Sequence, residues 1–372
     1  MQTNQDPGPV RVLICDDSAV VRSMLSRILR DVPGVEIAAK ASDGQQAVAA
    51  VQRGSIDIVV LDVEMPVMSG LEAIPRILAA DRATRILMSS SLTTKGAAVA
   101  LEALRLGASD FVPKPTAAEG GDVAAFTAEL VAKVQGLGRL AHARRGGTPK
   151  SRTDAEAKAP DPAWTTAAPP VPLARLASVR RPALLAIGSS TGGPAALLTL
   201  FQAIGGKLQV PVVLTQHMPA SFTAQLAGHI QKVGSATCAE AVHGEPLRAG
   251  HIHLAPGDRH LTVVRAGGVT SVSLTSDPPE NFCRPAVDPM LRTAAVAYPG
   301  AVLAAILTGM GQDGLAGARQ VAADGGTVLV QDEETSVVWG MPGAVARARL
   351  CQAILPIEDI AARIVQLAGR AS

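Results

Sequence analysis

Three residue types able to run nucleophilic acyl chemistry follow short aliphatic runs in the second half of the chain. ALLAIG leads into Ser189-Ser190-Thr191-Gly192-Gly193-Pro194, VPVVLTQ leads into His217, and AVLAAIL leads into Thr308-Gly309-Met310-Gly311-Gln312-Asp313-Gly314. A serine hydroxyl, a neutral imidazole and a carboxylate can together make a nucleophile, its base and the group that orients the base. The paired glycines let the serine turn fold tightly and aim backbone N–H groups outward, toward either a phosphate or an oxyanion. A phosphate cradle usually has a spaced G-x-G-x-x-G or a GK[ST] ending, and the serine turn has neither. Thr191, Gly192 and Met310 are candidates to support the oxyanion or its loops. Pro194 suits the first turn of a helix, so the same residues also read as a plain helix start. His251 and His253 would share one strand face, but with no matched third ligand they predict no metal site. No cofactor is expected in this half.

Acids gather in the same way in the first half. Asp16 and Asp17 follow VRVLI, Asp62 follows IDIVVL, Ser90 ends RILMSS and Lys114 follows DFVP. In an open parallel sheet the carboxyl ends of the strands share one edge, where ligands bind. Carboxylates collected there repel one another unless a hard dication sits among them, and Mg²⁺ with its preference for oxygen donors fits Asp16, Asp17 and Asp62. Asp62 could then attack a phosphoryl donor, with Lys114 balancing the added charge and the Ser90 hydroxyl bonding a phosphate oxygen. Any one of these aspartates alone reads more readily as a helix cap or a turn residue, and it is the full set at successive strand ends that points to a site.

Two α/β units must position these groups. From Val10 to about Gly136, aliphatic runs alternate with helical segments such as SAVVRSMLSRILRDV, which predicts a doubly wound, flavodoxin-like parallel sheet over 10–136. The stretch 137–181 is rich in Pro, Ala and charge without a sustained period and reads as a linker. A second doubly wound, mainly parallel α/β unit is expected over 182–372, with strands at ALLAIG, VPVVLTQ, AGHIHLAPG, AVLAAILTG and GTVLVQD.

The first set of motifs resembles a two-component receiver domain: Asp16-Asp17, LDVEMP-x-M-x-G around Asp62, Ser90-Ser91 and Lys114-Pro115. The resemblance implies phosphorylation of Asp62 by a histidine kinase, Mg²⁺ on Asp16 and Asp17, and a switch through Ser90, Phe111 and Lys114. The segments IGSSTGGP, TQHMP, LAPGDRH, CRPAVD and LTGMGQDG, in that order, are similar to the chemotaxis protein-glutamate methylesterase family. That likeness implies hydrolysis of γ-glutamyl methyl esters on methyl-accepting chemotaxis receptors, together with deamidation of receptor glutamines. It implies Ser190 rather than Ser189 as nucleophile, His217 as base and Asp313 as acid. It also implies that the unphosphorylated receiver covers the esterase site. Three positions depart from the family pattern: Gln312 replaces an Asn, Ser189 stands where Ala is common, and Cys283 replaces a His and receives no role. Two other readings are an esterase or amidase acting outside chemotaxis and a silent partner-binding regulator.

Composition sets limits. The chain has 372 residues, 48% of them hydrophobic but only 2% aromatic, so two cores must be built from aliphatic side chains. A formal charge of +2 gives no reason to expect a nucleic-acid partner. No apolar run reaches the roughly 18–20 residues of a membrane span. The N-terminal MQTNQDPGPV lacks signal-peptide character and the four cysteines form no C-x-x-C pair, so a cytoplasmic protein with reduced thiols is expected.

Overall fold

The structure, a computed structural model, describes residues 8–90, 94–114, 123–146 and 181–369. The first unit runs β1 (Val10–Cys15), α1 (Ala19–Arg30), β2 (Val35–Ala41), α2 (Gly44–Gln52), β3 (Ile58–Asp62), α3 (Gly70–Ala80), β4 (Arg85–Ser90), α4 (Thr94–Arg105), β5 (Asp110–Pro113) and α5 (Val123–Gly146). Its strands are all parallel in the order β2-β1-β3-β4-β5. β1 and β3 read as continuous apolar runs because the sheet is covered on both faces. Leu13 and Cys15 join the cluster containing Ala47, Ile74 and Leu101, whereas Val12 and Ile14 face Leu25, Leu29, Leu130 and Val134. Ser18, not the Asp pair before it, caps α1 by accepting from Val21 N, and that frees both aspartates for other partners. A reciprocal capping box between Ser69 and Glu72 starts α3 directly beyond the Asp62 loop.

The second unit runs β6 (Leu184–Ser189), α6 (Gly193–Ile204), β7 (Val212–Gln216), α7 (Ala220–Gly234), β8 (Thr237–Glu240), β9 (His251–Leu254), β10 (His260–Ala266), β11 (Val269–Thr275), α8 (Val287–Ala297), β12 (Val302–Ile306), α9 (Leu315–Ala323), β13 (Thr327–Gln331), α10 (Met341–Arg347), β14 (Ala353–Leu355) and α11 (Ile357–Ala368). A seven-stranded sheet has the order β14-β13-β12-β6-β7-β9-β8, with every pairing parallel, while β10 and β11 form a separate antiparallel hairpin. Alternate residues of β6 again face opposite layers. Leu185 and Ile187 pack with α6, α7 and α11, whereas Leu184 and Ala186 pack with α8, α9 and α10. The chain leaves β6 toward β7 and later returns on its other side as β12. The crevice between β6 and β12 is therefore the point where strand order reverses, the standard ligand position in such sheets.

The stretch read as linker is helical at its start. Residues 137–146 continue α5, with Leu137 and Ala141 buried. His142 Nε2 lies 3.0 Å from Asp57 Oδ2, and Arg145 ion-pairs with Asp57 and Asp81. These partners are remote in sequence, which is why a local pattern rich in Ala and Arg gave no sign of them. The remainder of that stretch, 147–180, lies outside the described residues.

Candidate active site

The β6 turn presents its two serines differently. Ser189, the last residue of β6, is fully buried and its Oγ donates to Gln216 Oε1 at 2.7 Å. Ser190 is partly exposed, and its hydroxyl has no hydrogen-bond partner among the described residues. Its backbone is held firmly. Ser190 N donates to Thr308 O at 3.0 Å, while Ser190 O accepts from Gly193 N at 2.7 Å and from Gln216 Nε2 at 2.9 Å. Gly192, at φ 76, makes the left-handed turn into α6 that a side chain would resist. Gly309 permits the approach of the β12 loop, since a Cβ there would lie 2.8 Å from Ser190 Cβ and 2.4 Å from Met341 Sδ.

His217 and Asp313 meet at this edge. His217 Nε2 lies 2.7 Å from Asp313 Oδ2, and both side chains are largely buried. Asp313 sits at the start of α8, where Val287 N donates at 2.6 Å and Asp288 N at 3.0 Å. Gly314 N adds a bond at 2.9 Å and Asn281 Nδ2 another at 3.0 Å. Burial alone would raise the Asp313 pKa, but the His217 bond and these N–H donors hold it below the usual carboxylate range. Burial would likewise lower His217, yet Asp313 and Cys283 together lift it to about 9. Cys283 Sγ lies 3.3 Å from His217 Nδ1. Both ring nitrogens are thus occupied, one by the acid and one by a thiol to which the sequence gave no role. Met310 is exposed on the β12 loop, and Thr191 O accepts from Thr308 Oγ1 at 2.9 Å.

The receiver acids also converge. Ligand atoms of Asp16, Asp17 and Asp62 all lie within 4.8 Å of one another. Lys114 Nζ spans two of them, 2.8 Å from Asp62 Oδ1 and 2.9 Å from Asp16 Oδ2. Burial raises the Asp62 pKa, an effect that Lys114 offsets and Asp16 reinforces. Asp16 Oδ2 is buried and accepts no aligned hydrogen bond beyond that ion pair. A pocket of oxygen donors with an under-satisfied buried carboxylate suits a hard dication such as Mg²⁺. Ser90 lies at the buried end of β4 and Phe111 is buried on β5.

The two units touch next to the serine turn. Asp110 Oδ2 of the receiver accepts from Gly192 N at 2.8 Å, and the Phe111 ring stacks on Phe222 with centroids 4.8 Å apart. Lys133 pairs with Asp110 at 3.2 Å and donates to Phe111 O, while Arg139 reaches Glu333 at 3.1 Å. A Cβ on Gly136 would lie 2.0 Å from Val337 O, so α5 and this loop meet backbone to backbone. One apolar cluster runs without a break from the receiver core into the esterase core.

The His251–His253 pair does have a third neighbour, Glu245, which the sequence reading did not supply. His253 is nevertheless closed by protein hydrogen bonds. Its Nδ1 lies 2.8 Å from Glu245 Oε1, and its Nε2 accepts from Arg248 N at 3.3 Å.

Known proteins bear on these geometries. Residues 185–364 match the CheB methylesterase family and residues 12–121 match the response regulator receiver domain. A protein-glutamate methylesterase/protein-glutamine glutaminase from Paramagnetospirillum magneticum is 48% identical over 97% of this chain and 97% of its own. The chain belongs to the protein-glutamate methylesterase family. A second methylesterase/glutaminase, from Azospirillum brasilense, is 48% identical over 98% of this chain and 94% of its own. The crystal structure of the Thermotoga maritima CheB methylesterase catalytic domain is 39% identical, covering 50% of this methylesterase and 98% of that domain, with a TM-score of 0.49. Sequence reasoning missed Asn281, Cys283, Asp288, Gln216 and Asp110. Each acts through a partner distant in sequence, so no local motif announces it.

Proposed function

We propose that the chain hydrolyses γ-glutamyl methyl esters of methyl-accepting chemotaxis receptors, deamidates receptor glutamines, and is gated by phosphorylation of its receiver. The observation that carries the hydrolase reading is the His217–Asp313 pair, 2.7 Å apart, on the sheet edge that presents the unpartnered Ser190 hydroxyl. Ser190 Oγ attacks the γ-carbonyl while His217 takes its proton. The collapsing tetrahedral adduct expels methanol, or ammonia from an amide, with that proton returned. Water then repeats the sequence on the acyl-serine. Because Nε2 faces Asp313, the nitrogen left for the proton transfer is Nδ1. Backbone N–H groups of the serine and β12 loops, Gly192 among them, are positioned to receive the oxyanion, with Thr191 and Met310 as loop support.

On the receiver side, Asp62 forms a bond to phosphorus as the P–N bond of a phosphohistidine on the chemotaxis kinase breaks. Asp16, Asp17 and Asp62 would hold Mg²⁺, which neutralises charge on the phosphoryl oxygens. Lys114 must then exchange a carboxylate partner for the phosphate, and it lies one β-strand from Asp110 and Phe111 at the interface. We assign Ser90, Phe111 and Lys114 to this switch. The docked state seen here has Asp110 on the Gly192 N–H, so the receiver occupies a donor that the oxyanion would need. The domain limits we adopt are a receiver over 10–136, extended along α5, a linker to 181 and an esterase over 182–372. No helix among the described residues is long and apolar enough to cross a membrane, and we place the protein in the cytoplasm with its receptor substrates membrane-borne.

The test is methanol release from membranes carrying methylated chemoreceptors, with a small phosphodonor present. Release well above the membrane-only rate is expected. No release, with free thiols and Mg²⁺ supplied, would remove the receptor assignment and leave an esterase acting on another protein.

A further inference from the structure

The segment between β11 and α8 contains a tight turn whose construction bears on the site. Glu280 and Cys283 exchange backbone bonds, Glu280 N to Cys283 O at 3.1 Å and Cys283 N to Glu280 O at 2.9 Å. The two residues between them, Asn281 and Phe282, have φ of 51 and 64, the left-handed pair that a two-residue primed turn requires. Neither is glycine; Asn adopts this conformation readily, but at Phe282 it is strained and the surroundings must offset it. Arg292 of α8 supplies part of that support through a two-point bond to Glu280, at 2.6 and 2.9 Å. What the strain achieves is placement. Asn281 Nδ2 reaches Asp313 Oδ1 and Asp288 Oδ2, both at 3.0 Å, and Cys283 Sγ reaches His217 Nδ1 at 3.3 Å. Phe282, at the tip between them, is fully exposed.

We propose that the Glu280–Cys283 turn is a positioning element of the esterase, with Asn281 orienting Asp313 and the Cys283 thiol holding the imidazole of His217 through Nδ1. This rests on the assignment of His217 and Asp313 to catalysis. The thiol can pair with Nδ1 in either protonation state of the ring, as donor or as acceptor. When the imidazole is neutral the S–H donates to Nδ1, and when it is charged the N–H donates to Sγ. Nδ1 is also the nitrogen that must take the Ser190 proton, so the thiol keeps the ring in place between turnovers and yields to the serine when substrate is bound. The titratable groups facing the ring are Asp313 and Cys283; Asp288 stands behind Asn281, and Arg292 is committed to Glu280. Cys283 is one of four free cysteines, and unlike Cys15 and Cys238 it is not buried.

The experiment is the pH profile of kcat and kcat/KM for methanol release by the full chain with a small phosphodonor, comparing wild type with Cys283→Ala, Cys283→Ser and Asn281→Ala. Removing the thiol takes away a partner that favours the charged ring. The acidic limb of Cys283→Ala should therefore move to lower pH. Plateau kcat should fall about tenfold as the ring loses its hold, with KM unchanged. A serine hydroxyl can make the same bond, so Cys283→Ser should recover most of both. Asn281→Ala should lower kcat with the limb displaced as Asp313 loses its orientation. A Cys283→Ala profile that superimposes on wild type overturns the positioning role, while loss of activity in Ser190→Ala leaves the esterase reading intact. Activity that survives Ser190→Ala but vanishes in Cys283→Ala makes the thiol the nucleophile and overturns both. If Cys283→Ala does not fold, the imidazole ¹⁵N shifts of His217 in the wild-type protein decide. A hydrogen-bonded Nδ1 supports the proposal, and a water-exposed Nδ1 contradicts it.

Discussion

Two carboxylates, Asp62 at the end of β3 and Asp313 on the loop after β12, stand on the carboxyl edges of two parallel sheets, yet their surroundings are opposite. Asp313 is saturated, with three backbone N–H groups, the Asn281 amide and a histidine converging on it, and its pKa is held down in spite of burial. Asp62 has fewer donors, Val63 N and one lysine that it shares with buried Asp16, whose Oδ2 lacks an aligned hydrogen bond, and burial pushes the Asp62 pKa up. A saturated acid is fixed in position and suits a part that must not move during turnover. An acid in a crowded, incompletely neutralised pocket responds strongly when its charge changes. The same sheet edge thus supports a rigid site and a labile one, and the difference lies in how many donors the flanking loops and helix ends supply.

The largest expected effect lies on the rigid side. Ser190→Ala should lower methanol release by about 10⁴-fold or more. Ser189→Ala should keep most of the activity, because the Ser189 hydroxyl is turned inward onto Gln216. The reverse outcome would move the nucleophile and with it the whole rigid site.

Asp110→Ala tests the connection between the two sites. It removes the receiver carboxylate from Gly192 N and leaves Lys133 with Glu129 as its carboxylate. A bond of this charge-assisted kind lost from the docked state should raise basal activity about tenfold. An unchanged basal rate in the folded variant would mean that the contact carries no gating energy.

The sequence foretold the two sheets and the four strand ends that carry the receiver residues, because continuous aliphatic runs and strand-terminal acids are local signals. It also pointed Ser190, His217 and Asp313 toward one sheet edge, since the first two follow such runs directly and Asp313 lies on the loop that follows a third. It could not separate Ser189 from Ser190 on physical grounds. Only the fold shows that one hydroxyl enters the sheet and the other leaves it. Cys283 was visible as an anomaly in CRPAVD without a use, because its partner lies 66 positions away. The first turns of the expected linker were misread for the same reason: α5 is held past Gly136 by Asp57 and Asp81, which no local period encodes.

A smaller effect belongs to His217. Its folded pKa of about 9 lies above the ordinary 6.5, so the stabilisation it brings is fully present below pH 6.5 and is lost as pH rises through 9. The melting midpoint should accordingly fall by a few degrees, about 2–4 °C for each kcal/mol, across that interval. In His217→Ala this part of the pH dependence should disappear. A midpoint in the variant that tracks wild type would show that the His217–Asp313 pair does not carry the charge described here.

The account stands or falls on one comparison: methanol release from methylated receptor membranes by wild type and by Asp62→Asn, each with and without a small phosphodonor. Stimulation is predicted in wild type alone, with Asp62→Asn remaining at its unstimulated rate under both conditions. Equal stimulation of the two proteins, or of neither, would contradict a gate that runs from Asp62 through the docked receiver to Ser190.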